Sequence, residues 1–539
     1  MHDPGKTAHE ALLRAAGRGR FMTSGTWARV REPFGQADCE SELLTLKSEY
    51  SKLYFDESPF NSAALDTDTY LIIGRRGSGK TALSQYFSFQ KSISDPIYID
   101  VDEPAVYQKV LSDLSGHASE LREIAIPRLV KVWEYIIWCI VYENTKEHSA
   151  LIVAACDKTC SDRSVSRVIG NLIAKLCATF RESSEEVENQ MESALNGVHH
   201  GPAREEVLRV AQNRPIIIAI DTLEKYDTTH HLLMNAMAAL IECAKTFSAA
   251  YSGHGIHIKL FVAGEVFPHL KEEVLQNPSK SVRHPVYLFW RPKDLLRLIS
   301  WRFYRYLDDR GLLLNESKGH IDWEDPHRVM EKVWTPYFGK DLVNGRGLQE
   351  RTFAYVLRHT QMRPRQLILL CNAIASRAAA GRRFPRFSDE DIREAVRQTE
   401  GELASEIINS FSSAYPNVAS ILEALMRCPM IFQGNELDRR AKETASSWPP
   451  GTYSLAGFRK LVAEIGVVGR VRRSHESAGY IDADFEYAMR DRLSLTYRDD
   501  CVIHPMFYTR LNVMMSERAM RVMPFSTDRD IQEAQGEFS

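Results

Sequence analysis

At 539 residues, with 44% hydrophobic and 26% charged side chains, the chain has the balance of a folded protein with about two to four domains. A formal net charge of −3 argues against chain-wide attraction to nucleic acid or an anionic membrane, and confines any such contact to a local patch. The nine scattered cysteines suit reduced thiols and a cytoplasmic location, and His148, Cys156 and Cys160 lack a second ligand pair that would make them a zinc site.

Residues 1–32 are rich in Gly, Arg and His without periodicity and are expected to form a flexible tail. Their first twenty residues carry no sustained apolar run of the kind a signal peptide needs. A mixed segment with a helix over 39–54 leads to the first strand. Phe34 and Gly35 lie where a base contact is conceivable, with ordinary linker packing as the alternative.

Tyr70-Leu-Ile-Ile73 is a short apolar run suited to a buried strand, and Gly74-Arg75-Arg76-Gly77-Ser78-Gly79-Lys80-Thr81 follows it in the spacing G-x-x-x-x-G-K-[ST]. A helix-compatible stretch begins at Ala82. Strand, glycine-rich loop and helix in this order form the Walker A pattern. Glycines let backbone N–H groups turn inward around phosphate oxygens, and the following helix start adds partial positive charge. Lys80 is placed to reach the β- and γ-phosphates and Thr81 to ligate Mg²⁺. Residues 74–82 are therefore the expected nucleotide-binding set.

Asp95–Asp102 reads as a second strand, and helices are expected over 121–144 and 164–181. Val132–Tyr142, the most hydrophobic stretch, is broken by Glu134 and is about half the length that spans a bilayer; it reads as a buried helix, not a membrane segment. Pro215-Ile-Ile-Ile-Ala-Ile-Asp221 is a buried parallel strand delivering an acid to the sheet edge, the Walker B pattern. Asp221 is the second expected Mg²⁺ residue. Position 222 is Thr, so the candidate general base is Glu224, with Asp227 or a purely structural Glu224 as alternatives. Ile258–Glu265 and Pro285–Trp290 supply two further strands, and Glu265, at the end of the first, stands where a phosphate-sensing polar residue would be placed. An Asn-Lys-x-Asp guanine-reading pattern does not occur, which favours ATP over GTP.

From Pro292 the pattern turns helical. Gln361-Met-Arg363-Pro-Arg365-Gln introduces an apolar helix over 367–380, and Arg363 and Arg365 are candidates for a contact back to the nucleotide. Helices over 389–411, 418–427 and 455–465 precede strand-like runs at 467–471, 480–487 and 493–502, the outline of a winged helix. Arg459, Lys460, Arg470, Arg472 and Arg473 form a basic cluster there, followed by Asp482, Asp484 and Glu486; it suits a phosphate backbone or a protein surface. The expected fold class is α/β: a three-layer P-loop NTPase core with a five-stranded parallel sheet (33–290), a helical lid (291–387), a C-terminal winged-helix-like domain (388–515) and a second flexible tail (516–539).

Taken together, Gly74–Thr81, Ile216–Glu224, the Met-Arg-Pro-Arg turn and the terminal winged-helix outline resemble the STAND and KAP branch of bacterial P-loop ATPases, relatives of AAA+ and origin-recognition ATPases. The resemblance implies an ATP- and Mg²⁺-dependent switch that forms homo-oligomers or works with a protein partner, in signalling or antiphage defence. A DNA-binding ATPase using the basic winged helix and a non-hydrolysing nucleotide-binding scaffold are the other readings. Glu224→Gln is expected to keep nucleotide bound and slow turnover by about 10²–10⁴-fold, since the amide cannot accept the attacking water's proton. Normal hydrolysis by this variant, with loss in Asp227→Asn, would move the base to Asp227.

Overall fold

The computed structural model describes residues 32–90, 92–93, 95–101, 126–156, 199–221, 231–275, 282–412, 414–489, 492–515 and 520–525. Cys160, Thr222, Glu224, Asp227, the expected helix at 164–181, nearly all of the first expected tail and most of the second lie outside these residues. The chain divides into two units: unit 2 takes 60–76 and 80–288, and unit 1 takes the segment up to Pro59, Gly77–Gly79 and everything from Phe289.

Unit 2 is an α/β layer structure around a five-stranded parallel sheet. Its strands are β1 (Leu71–Gly74), β2 (Ile97–Asp100), β3 (Ile216–Asp221), β4 (Ile256–Ala263) and β5 (Val286–Tyr287), in the spatial order β2-β3-β4-β1-β5. Every pairing is parallel, with Ile73 opposite Val262 and Ile218 opposite Ile258. The sequence expectation of five strands, with one interposed between those ending in Gly74 and Asp221, is met: β4 pairs β1 on one side and β3 on the other. The residue types explain the arrangement. β3 is a run of Ile and Ala buried through Ile220, as a strand covered on both faces requires. The helices Ile126–Thr145 and His231–Tyr251 pack on each other, and the latter also packs on β4. Their shared core holds Trp138 stacked on Tyr142, with Phe247 and Tyr251 against the indole. The apolar stretch at 132–142 is thus a buried helix segment. Among the described residues no helix is long and apolar enough to cross a membrane.

One charged side chain sits inside this sheet. Lys259 of β4 is 2% exposed, and its Nζ donates to the backbone oxygens of Asp66 (2.6 Å) and Thr69 (2.7 Å), which fastens the turn leading into β1.

Unit 1 begins with a correction. The segment 33–59, expected at the start of the nucleotide core, packs with the helical residues after 289. Phe34 is 1% exposed and stacks on Phe303 at 4.5 Å; Asn372 donates to Gly35 O and accepts from Phe34 N. Arg302, on the helix Pro292–Asp309, donates to Phe34 O (2.6 Å) and ion-pairs with Glu42 (2.5 Å). Phe34 and Gly35 are therefore packing residues of this unit, the plainer of their two readings.

The section 291–387 was expected to be all helix, yet it carries an antiparallel ribbon, β6 (Asp341–Val343) and β7 (Gln349–Arg351). Buried Glu350 of β7 receives both Arg358 Nε and Nη2 at 3.1 Å and Asn344 Nδ2 at 2.8 Å, an arrangement that pins the ribbon to the helix Thr352–Arg358. The helices Pro364–Ala380 and Asp389–Ser410 pack together across the expected boundary at 387/388. Ser388 and Asp391 cap the second of them reciprocally.

Beyond it, the helices Val418–Leu422, Gly434–Ala441 and Leu455–Glu464 accompany a five-stranded sheet. Its strands are β8 (Ile431–Gln433), β9 (Val468–His475), β10 (Tyr480–Asp484), β11 (Asp500–Ile503) and β12 (Arg521–Met523), ordered β12-β10-β9-β11-β8. Ser454 caps the third helix, accepting from Gly457 N at 2.9 Å. Three expectations are corrected. The helix expected over 418–427 stops at Leu422 and continues only as a 3-10 turn to Leu425. The run 493–502 is strand only from Asp500, because Leu493 N bonds the buried Glu486 carboxylate instead of a neighbouring strand. Residues 521–523, expected in a flexible tail, pair in parallel with β10 and bury Val522 completely.

Burial brings the Lys259 ammonium down to about 8 from an ordinary 10.5, against the opposing pull of Asp66 and Asp68. Between about pH 8 and 10.5 the unfolded chain therefore holds more protons at this site than the folded one, and this lysine's contribution to stability rises with pH. Lys259→Met should cost about 1–3 kcal/mol at pH 7, the penalty for leaving buried carbonyls without donors. The stability gap between wild type and variant, measured by urea unfolding, should be wider at pH 10 than at pH 7. An equal gap at both values would show that the amine does not titrate as its burial demands.

Candidate functional site

Because all five strands of unit 2 are parallel, their C-terminal ends share one edge, and four polar or glycine-rich segments meet there. β1 lies between β4 and β5 and ends at Gly74, where the glycine-rich loop begins; the helix Lys80–Tyr86 follows it. β2 delivers Asp100, β3 delivers Asp221, and the residues after β4 deliver Glu265. Gly77 and Gly79 have φ of +76° and +97°, a left-handed region that side chains disfavour, so the reversal from strand to helix needs glycine at both.

Lys80 is 5% exposed, and its Nζ donates to Gly74 O at 3.0 Å, across the mouth of the loop. Thr81 Oγ1 donates to Asp221 Oδ2 at 3.3 Å, which unites the two sequence patterns over a separation of 140 residues. A hydroxyl and a carboxylate are hard oxygen donors of the kind Mg²⁺ takes. Ala82, the third residue of the same helix, is half-buried. Gln85 Nε2 donates to Asp100 Oδ2 at 2.5 Å one turn further on, so the acid ending β2 is engaged by the loop's helix.

Glu265 lies at the place expected from sequence, with an unexpected partner. Its Oε1 accepts from the backbone N–H of Arg76 at 2.9 Å, and the residue is 7% exposed. The side chains at Arg75 and Arg76 are half-buried on the first part of the loop.

The loop tip, Gly77–Gly79, belongs to unit 1. There Trp290 Nε1 donates to Ser78 O at 2.8 Å, and Arg365 N donates to Gly77 O at 3.3 Å. A Cβ at Gly77 would come within 2.9 Å of Arg365 Cβ, so the backbone packs directly on that side chain. Ser78 Oγ is buried with no hydrogen-bond partner among the described residues, an orphaned polar atom of the sort a bound polar group satisfies.

The two arginines of the Met-Arg-Pro-Arg turn are not equivalent. Arg363 is 4% exposed at the N-cap of the helix Pro364–Ala380 and donates to Gln361 Oε1 at 2.8 Å. Gln361 Nε2 in turn donates to Ile465 O, and its backbone N–H donates to Gln366 Oε1, so Arg363 braces a buried turn within unit 1. Arg365 packs at Gly77 and ion-pairs with Glu406 at 3.0 Å. Of the two, Arg365 is the one brought against the glycine-rich sequence.

The basic cluster of the C-terminal sheet is interleaved with acids. Arg459 pairs with Asp438 at 2.8 Å, Arg472 with Asp484 at 3.3 Å, and Arg470 faces Asp484 at 3.9 Å across the β9–β10 ribbon. Arg473 stands opposite Asp482 in the same ladder.

Gln85, Asp100, Trp290 and the Glu265–Arg76 contact were not found by motif reading. Trp290 and Asp100 each end an apolar run at a sheet strand, the one available signal; the partners depend on strand order. Residues 326–405 match the family described as the FunZ-associated C-terminal helical domain. That span covers the ribbon β6–β7 and the helices Thr352–Arg358 and Pro364–Ala380, and enters Asp389–Ser410. The chain has no match among curated proteins.

The different surroundings of the two arginines give a direct comparison. Arg363→Ala should destabilise the protein by about 1.5–3 kcal/mol, as removal of a buried charged hydrogen-bond donor does. Arg365→Ala, whose pair with Glu406 is partly exposed, should cost about 0–1 kcal/mol. Chemical denaturation of both variants checks the order; a reversal would mean that the packing at Gly77 outweighs the buried bond to Gln361.

Proposed function

We propose that the protein is a nucleotide-dependent switch that binds ATP with Mg²⁺ and hydrolyses it. The observation that carries this reading is the Thr81–Asp221 contact, which joins residues from two separate phosphate- and metal-handling patterns at one sheet edge. Lys80 beside Gly74 O, and the orphaned Ser78 Oγ, are also what a polyphosphate site would require. In this reading residues 74–82 cradle the phosphates, Lys80 neutralises them, and Thr81 and Asp221 hold the metal. When bound with the triphosphate, Mg²⁺ would offset charge developing on the phosphate oxygens. Glu224 serves as general base on the sequence argument, and on the same argument Arg363 and Arg365 are the two candidates for a contribution from the lid turn.

Protein partners or self-association, in bacterial signalling or antiphage defence, follow from the resemblance to STAND and KAP ATPases. Carboxylate partners on Arg459, Arg470 and Arg472 support protein docking over DNA binding, since ion-paired arginines contribute less to the field that attracts phosphates.

Lys80→Ala tests the reading. The variant should remain folded, with a stability loss of about 1–3 kcal/mol for the missing bond to Gly74 O, bind ATP at least about tenfold more weakly and lose hydrolysis, because the charge it removes acts on phosphate. Titration with a fluorescent ATP analogue and a phosphate-release assay measure the two effects. Unchanged affinity in a folded variant would remove the glycine-rich loop from nucleotide binding; wild-type binding without turnover would favour the scaffold. Tight duplex binding by the wild type, with a log-affinity slope against log salt that flattens by about 0.9 per neutralised arginine, would favour the DNA-acting alternative.

A further inference from the structure

Within unit 2, the chain leaving β4 runs beside the first three residues of the glycine-rich loop. The β1–β4 ladder pairs Gly74 with Ala263, and the next N–H, that of Gly264, donates to Gly74 O at 3.0 Å. One residue on, the Glu265 carboxylate accepts from Arg76 N at 2.9 Å. The approach is close enough to exclude a side chain: a Cβ at Gly264 would stand 2.9 Å from Arg75 Cγ, 3.0 Å from Arg75 N and 3.2 Å from Gly74 C.

Resting on the nucleotide-binding reading above, we propose that Glu265 is a positioning residue of the phosphate loop, which its carboxylate holds by the Arg76 N–H. An acid beside a phosphate site is costly if it faces the phosphate, because like charges repel. Turned onto a backbone N–H, the same acid forms a charge-assisted bond that is shorter and stronger than a neutral one. It engages the donor at the third loop position and so fixes the direction in which the rest of the loop sets out. The Lys80 ammonium, bonded to the carbonyl at the loop's first position, keeps the same stretch of backbone from the other side. Glu265 thereby acts through loop geometry, on all phosphorylated nucleotides alike, and not through contact with a terminal phosphate. Preorganised donors of this kind need no rearrangement when the anion arrives.

The test uses the full chain and the variants Glu265→Ala, Glu265→Gln and Glu265→Asp, with fluorescent ATP and ADP analogues as probes and amide hydrogen exchange at Arg76 without nucleotide. Glu265→Ala should weaken both nucleotides by a similar factor, on the order of 10- to 100-fold, the range for losing a charged hydrogen bond. Glu265→Gln retains an accepting oxygen at the same reach and should recover most of the affinity. Glu265→Asp keeps the charge but shortens the reach, and should resemble Ala. Exchange at Arg76 should quicken in the Ala and Asp variants and stay slow in Gln. Loss confined to ATP would overturn the proposal in favour of direct contact with the terminal phosphate, and unchanged or tighter binding in a folded Ala variant would overturn it outright. Should Glu265→Ala fail to fold, the contrast between Gln and Asp decides by the same two measurements. If the wild type and Lys80→Ala alike bind no nucleotide, the nucleotide reading itself has failed; Arg76 exchange then still reports whether Glu265 holds the loop, and exchange that is equal in all variants would end the proposal.

Discussion

The Gly74 carbonyl oxygen receives two donors, Gly264 N–H and Lys80 Nζ, each at 3.0 Å. Much of the candidate site depends on that double acceptance. The first donor extends the β1–β4 ladder one step past the strand end, so the loop leaves the sheet in a defined direction. The second buries an ammonium that would otherwise carry an uncompensated charge at 5% exposure, a costly state unless a polar partner is near. With the start of the loop held in this way, Thr81 comes to Asp221 and Gln85 to Asp100. The same sheet edge therefore gathers oxygen donors from three strands and the amine from a fourth segment.

Strand order is what makes the gathering possible. β4 separates β1 from β3, and its bulk comes from Ile256, Ile258, Leu260 and Val262 packed under the helix His231–Tyr251. An ionisable residue in such a strand is expensive to bury, yet Lys259 is retained with two carbonyl partners. Its position ties the turn before β1 to β4, the strand whose far end holds the loop through Gly264 and Glu265. One strand thus restrains both ends of the segment 66–76.

Unit 1 uses buried ion pairs in a comparable way. Arg302–Glu42 fastens the segment before Pro59 to the helix Pro292–Asp309, and Arg358–Glu350 fastens the ribbon β6–β7. Removing one member of such a pair leaves the other charged and buried, so these contacts specify partners more than they add net stability. His359, on the segment matched to the FunZ-associated domain, bonds Glu400 at 3.1 Å, and Thr509 donates to the other oxygen of the same carboxylate. Burial holds the His359 imidazole below its ordinary range despite that carboxylate. These contacts tie the helical section to the C-terminal residues within unit 1.

Local residue pattern determined the five strands of unit 2 and the loop between β1 and its helix, because those features are encoded within a few residues: an apolar run, glycines at two left-handed positions, a lysine and a hydroxyl. The same holds for the buried character of 132–142 and for Lys80, Thr81 and Asp221 as site candidates. Tertiary structure alone decided the partners. Glu265 read as a sensor because its place after β4 was legible, whereas its bond to Arg76 depends on β4 lying next to β1 in space. Arg363 and Arg365 are indistinguishable as a motif; helix geometry sends one to Gln361 and the other to Gly77. Packing was one of two readings for Phe34, but its partners, on helices more than 250 residues away, were not legible, and the residues 521–523 become a strand only by pairing with β10. Periodicity reports which face of an element is apolar, but contacts between distant segments are set by how those faces close on one another, and the site's specific bonds are of that second kind.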